Sequence, residues 1–286
     1  MEQHIGTSGY SYDYWGPHPN NPEVKNFYPI KTKTKWLKYY SGYLKSVEIN
    51  CTRYRKLTPS MCQKWVSQVP ENFSITIKAS TYITHNKKLC DFDEWWKEFY
   101  PCILVLGSRF CTVLFQFPPV FVKSERNIAK LQTMKSIIPS HILCAFEFRD
   151  VSWYQSDSVM ETLFTGGWTQ VILTVPELRQ ALKFNFGNLP GGTHIGIINP
   201  DFVYLRFHGT TNYSSGTYGS ARMIQAQELV NNINPKIVCA YFNNVDTWTL
   251  RPFNNMEMDY TDGIPVGPQL VPSAIYDAKL LSILLQ

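Results

Sequence analysis

Residues 202–209 read Phe-Val-Tyr-Leu-Arg-Phe-His-Gly, an apolar run that turns polar at alternate positions before ending on glycine. Side chains two apart share one face of a strand. Arg206 and His208 therefore point one way and Phe207 the other. The same phase recurs at 47–50, VEIN, where Glu48 and Asn50 share a face around Ile49. It recurs again at 146–149, FEFR, where Glu147 and Arg149 share a face around Phe148. Three strands that turn polar in the same phase fit a sheet with one end open to solvent and its apolar side covered.

Further short β-branched and aromatic runs bounded by turn residues lie along the chain. Expected strands fall at 4–7, 46–49, 74–79, 112–117, 142–148, 170–175, 202–207 and 237–243. Segments with helical periodicity separate them, at 35–45, 60–69, 92–106, 125–138, 156–166 and 221–233, and one at 273–285 closes the chain. Apolar strands alternating with helices call for a parallel sheet covered on both faces, and eight strands close a (β/α)8 barrel. A doubly wound open sheet is the competitor, but it carries a Gly-rich phosphate loop after its first strand. Gly6-Thr7-Ser8-Gly9 does not have that pattern and reads as a tight turn. The expected fold class is thus α/β, a single (β/α)8 TIM-type barrel spanning 1–286. It carries an irregular loop at 185–201 and an insertion at 247–272, before the C-terminal helix.

Composition agrees. Of 286 residues, 44% are hydrophobic, 15% aromatic and only 17% charged, against about 25% charged in ordinary soluble domains. Disordered, coiled-coil and collagen-like chains are excluded. No apolar run reaches the ~18 residues of a membrane span, and the start shows no basic-then-apolar secretory pattern. Seven cysteines, at 51, 62, 90, 102, 111, 144 and 239, include no Cys-x-x-Cys pair. They read as free thiols, with Cys51, Cys144 and Cys239 packed as small hydrophobes. A reducing intracellular, cytoplasmic setting is expected, with no membrane partner. The net charge of +5 is uneven: residues 1–90 carry +8 and the remainder −3. Lys31, Lys33, Lys35 and Lys38, then Arg53, Arg55 and Lys56, form the basic flank. It is either a solvated helix face or a track for an anionic partner, nucleic acid included.

In a (β/α)8 barrel the chemistry sits at the C-terminal ends of the strands. Those ends supply Glu48 and Asn50, Lys78 with His85 beyond it, Gln116, Glu147 and Arg149, Arg206 and His208, and Asn243 and Asn244. Glu48, Glu147, His208 and His85 are the candidate catalytic acids and bases. Lys78, Arg149 and Arg206 are candidate anion clamps. Asn50, Gln116, Asn243 and Asn244 can orient a ligand, and Trp15, Tyr54 and Trp153 can wall the site. Any one Glu and Arg pair is equally well explained as a structural salt bridge. The whole set reads as a pocket for a small anionic substrate, such as a sugar phosphate or nucleotide. A divalent metal on Glu48, His85, Glu147 and His208 is the weaker reading, because Lys78 and two arginines compete for those carboxylates. No zincin or P-loop motif is present, and no nucleophile elbow. The choices left are a phosphoesterase-like hydrolase, a metal-dependent nuclease or sugar isomerase-like enzyme, and a non-catalytic nucleic-acid or ligand-binding module.

Several blocks together resemble the YecE-like family, domain of unknown function number 72. They are IGTSGYSYDYWG at 5–16, VEINCTRY at 47–54, IKASTYITH at 77–85, LFQFPP at 114–119, FEFRDVSW at 146–153, YLRFHG at 204–209 and YFNN at 241–244. The resemblance implies a TIM barrel, in agreement with the strand count, and the polar strand ends lie on the family's motifs. Arg53 stands where the family usually has Phe, and Asp150 where His is common. The 247–272 insertion replaces a short Gly/Ala-rich approach to the last helix.

Overall fold

The computed structural model describes residues 1–17, 27–50, 56–155, 157–176, 192–211, 213–246, 248–250 and 270–286. Eight parallel strands form the barrel: β1 (Glu2–Ser8), β2 (Ser46–Ile49), β3 (Ser74–Lys78), β4 (Phe110–Gln116), β5 (Cys144–Glu147), β6 (Trp168–Val175), β8 (Phe202–Phe207) and β9 (Ile237–Phe242). Their order is β5-β4-β3-β2-β1-β9-β8-β6, and pairing of β5 with β6 closes the ring. The short β7 (Gly192–His194) lies antiparallel on β6. Every expected strand is present, with ends shifted by at most two residues at most positions.

Helices α1 (Trp36–Tyr40), α2 (Pro59–Val66), α3 (Phe92–Leu106), α4 (Glu125–Ile137) and α5 (Ser158–Leu163) follow the first five strands, α6 (Gly219–Ile233) follows β8, and α7 (Ser273–Leu284) ends the chain. Their starts are set locally. Thr58 accepts a hydrogen bond from the Met61 N–H with Pro59 in the first turn, Ser124 accepts from Asn127, and Asp157 from Met160. Such caps satisfy N–H groups that the helix leaves unpaired. The irregular 185–201 loop is described only from 192 onward, where β7 lies, with a bridge between Asn199 and Phe202. The ends of the 247–272 insertion pair as two antiparallel strands, β10 (Trp248–Leu250) with β11 (Leu270–Pro272); its middle lies outside the described residues.

The strands are buried on both faces, so two apolar layers form. Ile49, Phe146, Phe148, Phe207 and Phe242 face the helices. Leu114, Ala145, Val171, Leu173, Tyr204, Cys239 and Tyr241 fill the barrel interior. That partition matches the phase read from 202–209: Phe207 lies outside, while Tyr204 and Arg206 lie inside. Gly6 is required by close approach rather than by a turn. A Cβ there would stand 1.9 Å from the Ser46 carbonyl oxygen of β2. The turn belongs to Gly9, whose φ of +95° ends β1. Among the described residues, no helix is long and apolar enough to cross a membrane.

Candidate functional site

Parallel register brings the polar strand ends to one level. Ser8 lies opposite Glu48, and Gln116 opposite Glu147. Arg206, reaching inward from β8, is the hub. Its Nε donates to Glu48 Oε2 at 2.8 Å and its Nη2 to Glu48 Oε1 at 2.6 Å, a bidentate fork. Nη1 donates to Glu147 Oε2 at 2.5 Å, and Nη2 also reaches Ser8 Oγ at 2.8 Å. Every nitrogen of this guanidinium thus has a partner, and the residue is only 2% exposed.

Glu48 is saturated. Ser8 Oγ donates to Oε1 at 2.6 Å and Tyr204 Oη to Oε2 at 2.7 Å, in addition to the Arg206 fork. Asn50 Nδ2 donates to the same Ser8 Oγ at 2.8 Å. Burial disfavours charge on Glu48, but Arg206 outweighs it and holds the carboxyl below its ordinary range. The same contest holds Glu147 well below its ordinary range, with Arg206 first among its cationic neighbours. Glu147 also takes Arg149 Nε at 3.3 Å, and Arg149 Nη2 continues to Tyr213 Oη at 3.2 Å.

His208, two residues beyond Arg206 on the same face, is fully buried beside this network. Its Nε2 stands 3.4 Å from Glu147 Oε2 and 3.3 Å from Arg206 Nη1, with Asn243 Nδ2 3.5 Å from Nδ1. Tyr213 stacks on the ring with centroids 5.0 Å apart. Burial dominates here, lowering the imidazole to about 4, so the ring is neutral at pH 7. Lys78 ends β3, half-buried, and burial together with Arg206 brings its ammonium down to about 7. Gln116 is 3% exposed, and among the described residues its Oε1 has no hydrogen-bond partner, nor has Oδ1 of Asn50. Buried acceptors of this kind are uncommon and costly to leave unmade.

The network therefore brings together Glu48, Asn50, Glu147, Arg149, Arg206, His208 and Asn243, with Lys78 and Gln116 on neighbouring strand ends. The other candidates lie elsewhere or differently. His85 sits on a single π-turn past β3, its Nδ1 2.9 Å from Thr84 Oγ1. Asn244 holds Asp277 Oδ2 of α7 at 2.7 Å and the Gly216 carbonyl at 2.8 Å, which fastens the last helix to the strand end. Tyr54 lies outside the described residues. Trp15 and Trp153 correct the expectation of aromatic walls: both are fully buried. Trp15 donates to the Val245 carbonyl and packs on Tyr12, Phe27 and Tyr28. Trp153 stacks on Phe148 at 4.2 Å and donates to the Phe121 carbonyl. Their rings are spent on packing.

The sequence reading left out Ser8, Tyr204 and Tyr213. Tyr204 was accessible by parity, two residues before Arg206. Ser8 was hidden inside what read as a turn, and nothing local marks Tyr213. A metal is poorly served by this arrangement. Among the described residues no three His, Cys, Asp or Glu side chains are grouped to hold one, and the guanidinium of Arg206 fills the place between the two carboxylates.

A closed parallel barrel with its charged groups collected at the C-terminal strand ends defines a TIM-type barrel protein. The chain belongs to the DUF72 family: the family model described as "Protein of unknown function DUF72" matches residues 4–257. It is 29% identical over 216 residues to the UPF0759 protein YunF of Bacillus subtilis (strain 168), covering 72% of this chain and 70% of that one. Among solved structures it is similar to a DUF72 family protein of Thermotoga maritima MSB8, with TM-score 0.69, 22% identity, and 100% and 99% of the two chains covered. A DUF72 family protein of Enterococcus faecalis V583 gives TM-score 0.67 at 18% identity, over 99% and 95% of the two chains. At these identities the structural likeness speaks for the fold.

Proposed function

We propose that the barrel mouth is the active site of an enzyme that acts on a small phosphorylated or nucleotide-like substrate, in the manner of a phosphoester hydrolase. The observation that carries this reading is the division of charge at the strand ends. Arg206 is consumed by Glu48 and Glu147, so these three form a fixed ionic base that carries one net negative charge. Lys78 and Arg149 are the half-buried cations above it, beside the unpaired acceptors of Gln116 and Asn50. An anion is thus met by Lys78 and Arg149, while hydroxyl or amine donors of the ligand meet Gln116 and Asn50.

The roles differ from those first suggested by residue type. Glu48, fully hydrogen-bonded and held ionised, is scaffold rather than proton donor. Lys78, whose ammonium lies near pH 7, is the group matched to proton transfer under neutral conditions. The helices of a (β/α)8 barrel begin at the mouth side, so the exposed Lys31, Lys33 and Lys35 before α1 stand on its rim. That placement favours a second reading, a binding module for a nucleic-acid end.

The test is phosphate release from a panel of sugar phosphates, nucleotides and short oligonucleotides. Lys78→Met should lose turnover at least ~100-fold while its circular dichroism stays unchanged. Lys78→Arg should move the pH inflection upward from neutrality. Saturable nucleotide or oligonucleotide binding by the wild type with no turnover anywhere would replace the enzyme with the binding module. Neither binding nor turnover would sink both.

A further inference from the structure

The barrel floor, at the N-terminal strand ends, holds a cluster that the mouth does not use. Cys111 on β4 and Cys239 on β9 come from strands four places apart in the ring of eight, hence from opposite sides. Their Sγ atoms nevertheless meet inside the barrel, 3.4 Å apart. Cys239 is fully enclosed, whereas Cys111 keeps 8% of its surface. His4, on β1 between them in the ring, and Thr76, on β3, both lie close enough to Cys111 to act on its thiol. Its ring is aimed by Ser74 Oγ, 2.9 Å from Nδ1, and by Glu2 Oε1, 3.1 Å from Nε2.

The two sulfurs are unlike. Burial opposes charge on Cys111, but the Cys239 hydrogen bond and the His4 ring outweigh it, and the Cys111 thiol is lowered. Burial and the neighbouring sulfur push Cys239 up, so it keeps its proton. Burial works against a charged His4 as well, yet Cys111 and Glu2 raise its ring. A buried thiol that favours its thiolate, an imidazole acting on it and a fully enclosed second thiol are thus gathered at one place. The exposed Cys90 has none of these partners in its favour by geometry, lying on the turn before α3.

We propose that Cys111 and Cys239 are an oxidisable pair that closes an intrachain disulfide across the barrel floor in response to hydrogen peroxide or a comparably small peroxide. The Cys111 thiolate attacks one peroxide oxygen and the O–O bond breaks. Cys111 becomes a sulfenic acid, and the departing hydroxide takes the His4 proton to leave as water. The Cys239 sulfur then attacks Cys111 Sγ, its proton goes to the sulfenic hydroxyl, and a second water leaves. Two thiols are oxidised by two electrons and one peroxide is reduced to two waters. The sulfurs close from contact to the ~2.05 Å of a disulfide. The bridge joins positions 128 apart in sequence and pins the two halves of the barrel together.

The experiment is titration of the full chain with hydrogen peroxide, followed by thiol counting and peptide mapping. Two thiols should be lost together, with the tryptic peptides holding Cys111 and Cys239 joined and released again by dithiothreitol. In Cys239→Ser, Cys111 should accumulate as a sulfenic acid trapped by dimedone. In Cys111→Ser, Cys239 should stay unmodified. His4→Gln should slow the reaction about 10-fold or more. Oxidation confined to Cys90, or Cys111 reacting no faster than the buried Cys62, Cys102 and Cys144, overturns the proposal. The wild-type map decides on its own if a serine variant does not fold.

Discussion

The two ends of this barrel solve the same problem differently. Both must place polar atoms inside a closed ring of strands, where unpaired charge is expensive. At the mouth the solution is ionic. Two carboxylates flank one guanidinium, tied by Ser8 and Tyr204 hydroxyls, and further cations stand around them. At the floor the solution is softer, built from sulfur and hydroxyl groups. Cys111 and Cys239 touch, Tyr241 Oη bridges Ser46 and Thr76 Oγ atoms at 2.7 Å each, and the chargeable groups are Glu2, His4 and the Cys111 thiol. At the mouth the charges are oriented in advance by one another. The floor is nearly closed, and its chemistry is limited to what a small oxidant can reach.

If that contrast is right, the largest effect lies at the mouth. Arg206→Met leaves two buried carboxylates facing each other, and should cost about 3–5 kcal/mol in urea denaturation or abolish folding. Adding Glu48→Gln and Glu147→Gln to the same chain should recover part of that loss. An Arg206→Met protein as stable as wild type would show that the mouth is not held ionically.

Next in size is the dependence on pH. His208 titrates near 4 when folded and near its ordinary 6.5 when unfolded. Between those values the unfolded chain binds more protons, so stability falls as pH drops from 6.5 towards 4, by on the order of 3 kcal/mol. Glu48 and Glu147, held low by Arg206, continue the fall below 4.5. Denaturation at pH 7 and pH 4.5 should therefore differ for wild type and much less for His208→Gln. At the floor, closing the disulfide should raise stability by about 2 kcal/mol, the lower end of the usual range since the sulfurs must move to bond. A peroxide-treated protein whose melting temperature is unchanged would weaken the comparison there. The smallest effect is expected on the rim. Charge reversal of Lys31, Lys33 and Lys35, all exposed, should change stability by less than about 0.5 kcal/mol. If the rim guides nucleic acid, the same variant should lose oligonucleotide affinity and its salt dependence.

Much of this was legible in residue order, and the reasons differ by element. The strands were readable because each is a short apolar run that must be buried on both faces. The pairs Glu48 with Asn50, Glu147 with Arg149, and Arg206 with His208 were readable because a strand has a period of two. Trp15 and Trp153 were misplaced for an equally simple reason. An aromatic ring is as useful in a core as at a site, and only the neighbours, Phe27 and Tyr28 for one and Phe121 and Phe148 for the other, decide which. Cys239 read as a small hydrophobe, which describes its strand but not the sulfur facing it.

By itself, then, the sequence determined the alternation of strands and helices, the closure number, and which side chains face the barrel axis. These follow from local periodicity and the hydrophobic demand of each element. Only the tertiary structure decided that Arg206 belongs to both Glu48 and Glu147, that Ser8 and Tyr204 complete the network, and that two cysteines 128 positions apart come into contact. Those pairings are made between strands, at distances set by register and closure, and ion pairing and thiol chemistry depend on ångströms that no single segment contains.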